Sequence, residues 1–119
     1  MDMDVLFPEA TPADIVKTKS ELASYAKRKK QFDDFEKNPP ESQLQQELYL
    51  RLLKFTRNIE RAIAQILDAD VKKIIEYRYV QGNSRAATII RFPLYCEKTV
   101  DRKLMEGIES IANTLKYLE

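Results

Sequence analysis

The chain has 119 residues, of which 44% are hydrophobic and 33% charged, and its formal net charge is +1. This length predicts one domain, or one small domain with a helical extension. Two glycines and no tryptophan argue against a β-rich protein with many tight turns, so we expect an all-α fold. No apolar stretch approaches the roughly 18 residues of a membrane span. The start, "MDMDVLFPEA", is acidic where a signal peptide is basic, so we expect a cytoplasmic protein with no membrane partner.

The titratable residues argue against an enzyme. Histidine is absent, which removes the usual general base and most zinc ligand sets. Carboxylates and lysines are scattered at helical spacing and are never grouped with a glycine-rich loop. We therefore expect no catalytic residue, no metal site and no cofactor. The single cysteine, Cys96, excludes an internal disulfide, and we interpret it as a packed or half-buried thiol rather than a redox sensor.

Residues 1–42 form a predicted helical arm followed by a proline linker. Thr11 to Asp14 is typical of a helix start, and the pattern continues to about Lys37 with an interrupted apolar stripe. The "NPPES" segment ends this helix because proline lacks an amide donor and disfavours helical angles in the residue before it. The basic block "KRKK", residues 27–30, is followed by acidic residues. We interpret it as a solvated face, with phosphate contact as the alternative.

Residues 43–67 form the clearest periodic element, predicted as one amphipathic helix roughly 36 Å long. Its apolar stripe must be buried, either within the chain or against a second copy. The stripe consists of Leu44, Leu48, Leu52, Phe55, Ile59, Ile63 and Ile66. A basic stripe also follows this helix, formed by Arg51, Lys54, Arg57 and Arg61. A soluble face is the favoured interpretation of the basic stripe, and phosphate contact is the alternative.

Residues 68–119 form a predicted compact unit of three helices. Asp68 or Asp70 caps the first helix, which ends at Gly82-Asn83. Ser84 caps a short second helix, in which we expect Ala87, Ile89 and Ile90 to face inward, and Pro93 ends it. The buried positions expected in the first helix are Val71, Ile74, Ile75 and Tyr79. The third helix begins near Glu97, with an inward face formed by Val100, Leu104, Ile108, Ile111, Leu115 and Leu118.

The last two helices of this unit follow the helix-turn-helix pattern. At 100° per residue, Lys98, Thr99, Arg102 and Glu106 share the outward face at the start of the third helix. This is the end that a recognition helix inserts into the major groove. Residues 84–105 carry five basic and two acidic side chains, a local charge of +3. The alternative is that this polar first turn serves solubility alone.

Three segments of the chain resemble the helix-turn-helix of sigma-70 region 4 and, more closely, the ArpU/RinA group of phage transcriptional regulators. Residues 75–79 ("IEYRY") resemble the family's first helix, residues 96–102 ("CEKTVDR") the start of its recognition helix, and residues 111–115 its tail. The N-terminal "LFPEATPADIVKTKSELASYAKRKK" also resembles the start of ArpU proteins. Where that family favours serine or threonine as the cap of the recognition helix, this chain has Cys96.

The resemblance implies a sequence-specific regulator of late phage or prophage genes for packaging, morphogenesis or lysis, acting in a bacterial host. Its partners would be double-stranded DNA and, through the arm and central helix, host RNA polymerase or a second copy of the chain. Lys98 and Arg102 would contact bases, Thr99 and Lys103 bases or phosphates, and Arg85 and Arg91 the DNA backbone. Two alternatives are a small terminase-like packaging component and an adaptor that binds only RNA polymerase.

Overall fold

The computed structural model describes residues 9–119, so residues 6–8 of the N-terminal motif lie outside the described residues. Within this range the chain is helical and contains no strand, which confirms the predicted all-α class. The helices are α1 (Pro12–Lys37), α2 (Gln43–Ala64), α3 (Ala69–Ile75), α4 (Arg85–Arg91) and α5 (Glu97–Leu118). A π-helical segment, Glu76–Val80, continues α3. No helix of this range is long and apolar enough to cross a membrane.

Short polar side chains begin the first two helices. Thr11 Oγ1 accepts a hydrogen bond from the Asp14 amide at 3.2 Å, and Asp14 Oδ2 accepts one from the Thr11 amide at 2.8 Å. This reciprocal pair is a capping box, and it begins α1 where the sequence predicts. The Thr11 amide, followed by the Lys116 ammonium, lowers the pKa of Asp14 to about 2. Ser42 begins α2 by accepting the amide of Gln45 at 3.1 Å.

The caps of α3 and α4 are also those that the sequence predicts. Asp68, rather than Asp70, begins α3 by accepting the amides of residues 70 and 71. Gly82 follows the π-helical segment with φ +75°, the left-handed conformation that glycine adopts without strain. Ser84 begins α4 by accepting the Ala87 amide at 3.1 Å. The π-helical turn between α3 and Gly82 is a feature that the apolar period did not predict.

The helices share one apolar core. Helix α5 is central to it, because it packs against α1, α2 and α3. The core residues are Leu22, Tyr25, Ile59, Ala62, Ile63, Ile66, Val71, Ile74, Ile75, Tyr79, Val100, Leu104, Ile108, Ile111 and Leu115. The N-terminal arm therefore contributes to the same core as the C-terminal unit, through Leu22 and Tyr25. Burial of the α5 stripe from Val100 to Leu115 confirms the helical phase predicted for that helix.

Two details of the predicted helices are wrong. Helix α2 ends at Ala64 instead of residue 67, because the chain turns at Gln65 and still buries Ile66 below the helix end. In α4, Ile90 is 78% exposed, although we expected it to face inward. Thr88 takes the inward position: its hydroxyl donates to the Ser84 carbonyl at 2.8 Å, which satisfies the polar group and permits full burial.

Gly107 sets the distance between α3 and α5. A Cβ atom added there would overlap the Ile75 side chain and crowd Val71. The two helices can therefore approach this closely only because residue 107 has no side chain. This contact fixes how α5 sits in the fold, and with it the direction in which the first turns of α5 face.

Candidate nucleic-acid interface

The first two turns of α5 present Lys98 and Arg102 to solvent. On the opposite side of the same turns, Val100 is fully buried and Leu104 is 7% exposed. The Arg102 side chain is 66% exposed, and its Nε lies 3.7 Å from Glu106 Oε1, one turn further along the helix. Such an exposed pair is worth little energetically, so the guanidinium can exchange this partner for another anion.

Thr99 and Lys103 are half-buried beside this exposed face. The Thr99 hydroxyl lies 3.2 Å from Cys96 Sγ. The Lys103 ammonium lies 5.1 Å from the centre of the Tyr95 ring, within the range of a cation–π contact. The Tyr95 hydroxyl donates to Asp70 Oδ2 at 2.8 Å, which ties the α4–α5 connection to α3. Both predicted residues therefore border the exposed face, and each already has a contact within the chain.

Arg85 is held by two carboxylates at the start of α5. Its Nε and Nη2 donate to both carboxylate oxygens of Asp101 at 2.8 and 2.7 Å, and Nη2 also donates to Glu97 at 2.6 Å. These bonds, with Asp101 first, raise the pKa of Arg85, and the Arg85 guanidinium in turn lowers the pKa of Asp101. The arrangement joins α4 to the first turn of α5. It also places a positive charge against the negative charges of both acidic residues in the segment 84–105.

Arg91 lies at the end of α4 beside two aromatic rings, those of Tyr77 and Phe92. Its guanidinium carbon is 5.9 Å from the Tyr77 ring centre and 5.7 Å from that of Phe92. The two rings pack edge to face, with centres 5.9 Å apart. Tyr77 belongs to the π-helical segment, so this segment contributes one of the two rings beside Arg91.

The interface has a clear excess of available positive charge. Within residues 9–119, Arg91, Lys98 and Lys103 form no ion pair, and Arg102 has only its exposed contact with Glu106. The two acids of the predicted basic segment are both bound to Arg85. The described structure thus leaves four cationic side chains around the start of α5 and the end of α4.

Cys96 occupies the cap position of α5 and is exposed, so the expected packed or half-buried thiol is wrong. The thiol makes no capping hydrogen bond to the helix. Its contact with the Thr99 hydroxyl, followed by the neighbouring helix amides, lowers the pKa of the thiol. The first turn of α5 therefore starts without the oxygen acceptor that begins each of the other four helices.

Two large apolar side chains flank the same region. Ile90 on α4 is 78% exposed, and Leu94 in the α4–α5 connection is 95% exposed. Neither was predicted to lie at the surface as part of a site. They add exposed apolar surface to α4 and to the α4–α5 connection.

Comparisons with known protein families, with curated proteins and with solved structures find no match for this chain. The resemblance to ArpU-type regulators therefore stays a hypothesis that rests on the sequence motifs. Residues 9–119 contain no group of three or more histidine, cysteine, aspartate or glutamate side chains placed to hold a metal ion.

Proposed function

We propose that the chain is a sequence-specific DNA-binding protein that uses α4 and α5 as a helix-turn-helix. The observation that carries the proposal is the exposure of Lys98 and Arg102 on the first two turns of α5, opposite the buried Val100 and Leu104. A recognition helix contacts base edges with its N-terminal residues. Lysine and arginine at that end suit guanine, whose O6 and N7 atoms accept hydrogen bonds.

The contacts within the chain refine the roles of the six predicted residues. Arg102 and Lys98 are the proposed base readers, while Lys103 and Thr99 border the base or the adjacent phosphate. Arg91, which is exposed and free of ion pairs within the described residues, grips the backbone. Arg85 acts differently from our first expectation: bound to Glu97 and Asp101, it orients α5 and screens two acids that would otherwise repel phosphate.

The ArpU-like motifs extend the proposal to a class of genes. They favour a regulator of phage or prophage late genes in a bacterial host, with RNA polymerase as a second partner. The terminase-like alternative differs in assembly, since a packaging component forms a closed ring of many chains. Sedimentation of the full chain separates the two, because a regulator is expected to be a monomer or dimer.

Selection of bound sequences from a random DNA library tests the proposal most directly. We expect a short preferred motif, with binding that weakens as salt is raised because phosphate contacts release counterions. A library that shows no enrichment, together with no salt-sensitive binding to any duplex, would exclude DNA recognition.

Arg102→Ala and Arg91→Ala should separate base reading from phosphate contact. Arg102→Ala should flatten the preference at one position of the selected motif, where a bidentate arginine–guanine contact is worth about 1–3 kcal/mol. Arg91→Ala should weaken all sequences alike and lower the salt slope by about one. The measurement is fluorescence anisotropy with the selected duplex and its single-base variants at two salt concentrations.

Arg61→Ala is the matched control for these variants. Arg61 is an exposed arginine one turn before Gln65, whose side chain accepts the Tyr117 hydroxyl at 2.6 Å. It thus lies near the far end of α5 from Lys98, and its loss should leave binding unchanged. If Arg61→Ala weakens binding as much as Arg102→Ala, the basic stripe of α2 carries the contact. If Arg102→Ala leaves the ranking of duplexes unchanged, Lys98 becomes the candidate base reader.

The exposed Ile90 and Leu94 favour a second candidate, an adaptor that binds RNA polymerase through this surface. Large apolar side chains grouped at a surface are typical of protein contacts. The variant Ile90→Ser/Leu94→Ser distinguishes the two functions. Under the adaptor hypothesis it abolishes binding to purified polymerase, and under the DNA-reading hypothesis it leaves the ranking of duplexes intact.

A further inference from the structure

The first half of α2 carries an apolar stripe that the chain itself does not cover. Leu44 is 76% and Leu48 44% exposed, whereas Leu52 in the next turn is buried. Leu44 and Leu48 continue through the exposed Arg51 to the half-buried Phe55, at spacings of four, three and four residues. We call these four residues the open stripe. This is the heptad spacing with which one helix packs along another.

The covered and open parts of α2 have identifiable boundaries. On one side of the helix, Tyr49 stacks on Phe32 of α1, with ring centres 5.7 Å apart, so α1 closes that side. At the other end, Arg28 of α1 covers one face of Phe55, with its guanidinium carbon 4.2 Å from the ring centre, and Glu119 at the end of α5 lines the adjoining groove. The helix α5 therefore reaches the end of the open stripe and stops there. What stays open is about three turns of helix, roughly 17 Å long.

Charges of opposite sign flank the open stripe on one side. Glu47 and Lys54 are both exposed and lie one heptad apart, so they stand on the same side of α2. Neither forms an ion pair with any other side chain of residues 9–119. A partner helix on the open stripe would therefore meet an acid near one end and a base near the other.

We propose that the open stripe binds the same stripe of a second copy of the chain, with the two α2 helices antiparallel. A twofold axis between Tyr49 and Leu50 places Leu44 against Phe55 of the partner subunit. The same axis places Leu48 against the aliphatic stem of Arg51 of the partner subunit. Glu47 then comes within one turn of Lys54 of the partner subunit, and the symmetry makes this pair twice.

The charges select this partner and this direction. In a parallel pairing the two copies of Glu47, like the two copies of Lys54, would lie on opposite edges of the helix pair, so neither attractive contact would form. The antiparallel pairing makes the surface complementary to itself, as an isologous dimer requires. Because the contact spans only about three turns, it falls at the small end of interface sizes. Dimerisation should therefore depend on protein concentration.

The proposal does not depend on DNA binding, and sedimentation of the full chain without DNA tests it. From micromolar to near-millimolar protein, the mass should rise from the monomer's 13.9 kDa towards twice that value. Glu47→Lys and Lys54→Glu should each weaken association roughly tenfold, since two like-charge contacts replace two attractive ones. An equimolar mixture of the two variants should regain wild-type association, because every contact across the mixed dimer is then between opposite charges.

Leu48→Glu and Val16→Glu provide an apolar test with a matched control. Val16 is 70% exposed on α1, outside the open stripe and its charged flank, so its replacement should leave dimerisation unchanged. Leu48→Glu should abolish dimerisation while thermal unfolding in dilute solution stays close to that of Val16→Glu. The proposal is overturned if the wild type stays monomeric throughout, if the mixture associates no better than its components, or if Val16→Glu disrupts the dimer as strongly as Leu48→Glu.

Discussion

Helices α2 and α5 are each 22 residues long and carry apolar stripes of the same period, yet the chain covers them differently. The stripe of α5 is buried from Val100 to Leu115, because this helix lies against α1, α2 and α3. The stripe of α2 is exposed at Leu44 and Leu48, half-buried at Phe55, and buried at its other positions. An amphipathic period therefore identifies the face that needs a partner, but carries no information on where along the helix that partner ends.

The exposed surfaces of α2 and α5 also differ in kind. On α5, the residues opposite the stripe include the cations of the candidate DNA interface, and the buried side holds them in a fixed direction. On α2, the exposed stripe itself is the candidate contact. The two proposals therefore make opposite demands on the stripe residues: those of α5 should determine stability, and those at the start of α2 should determine association.

Leu104→Ala and Leu48→Ala test this contrast with the largest expected effect. Leu104 is 7% exposed, so its truncation should lower the free energy of unfolding by roughly 2–5 kcal/mol. Leu48 is 44% exposed in the single chain, so its truncation should change that free energy by no more than about 0.5 kcal/mol. Urea unfolding in dilute solution, where association is weak, measures both. Equal losses would mean that the phase used to place Arg102 outward is wrong.

Gly107→Ala should show how tightly α5 is held. The new methyl group would overlap Ile75 across the α3–α5 crossing, and overpacking of this kind typically costs about 1–3 kcal/mol. The change Ile75→Ala removes both overlapping atoms, Cγ1 and Cδ1, so the double variant should lose less stability than the sum of the two single variants. Additive losses in the double variant would show that the two residues are not coupled.

The sequence was sufficient for the elements whose signals are local. Thr11, Asp68 and Ser84 begin helices because each offers an oxygen to amides two or three residues later, a relation visible in the sequence. The phase of α5 was predictable for the same reason, since its stripe repeats over four turns. The end of α2 was predicted three residues late. Ile66 is buried although it lies beyond the helix, so the apolar pattern continues past the last helical residue.

The remaining features depend on contacts between distant segments. Thr88 is buried where Ile90 was predicted to be, because a hydroxyl bonded to its own helix can be buried as readily as an aliphatic group. The need for glycine at position 107 follows from its contact with Ile75. The role of Arg85 follows from its hydrogen bonds to Asp101, 16 residues later. Within the candidate site, exposure of Lys98 and Arg102 followed from the helical period, whereas the partners of Arg85 and the rings beneath Arg91 did not.

The smallest expected difference in stability between α2 and α5 comes from their cap residues. Ser42 accepts an amide hydrogen bond, whereas Cys96 at the equivalent position makes none and contacts the Thr99 hydroxyl instead. A serine hydroxyl is the better acceptor for the free amides of a first turn. Cys96→Ser should therefore stabilise the fold by about 0.5–1 kcal/mol, and Ser42→Ala should destabilise it by about 1 kcal/mol.

Thermal and urea unfolding of both cap variants, again in dilute solution, measure the difference. If Cys96→Ser gives no gain, the first turn of α5 is already held by the bonds from Arg85 to Glu97 and Asp101. Arg85→Ala, made in both the wild-type and the Cys96→Ser background, then tests whether Arg85 stabilises the first turn of α5. If it does, the serine cap should offset part of the stability that Arg85→Ala removes. If Arg85→Ala removes the same stability in both backgrounds, Arg85 acts by joining α4 to α5, and the first turn of α5 is stable without it.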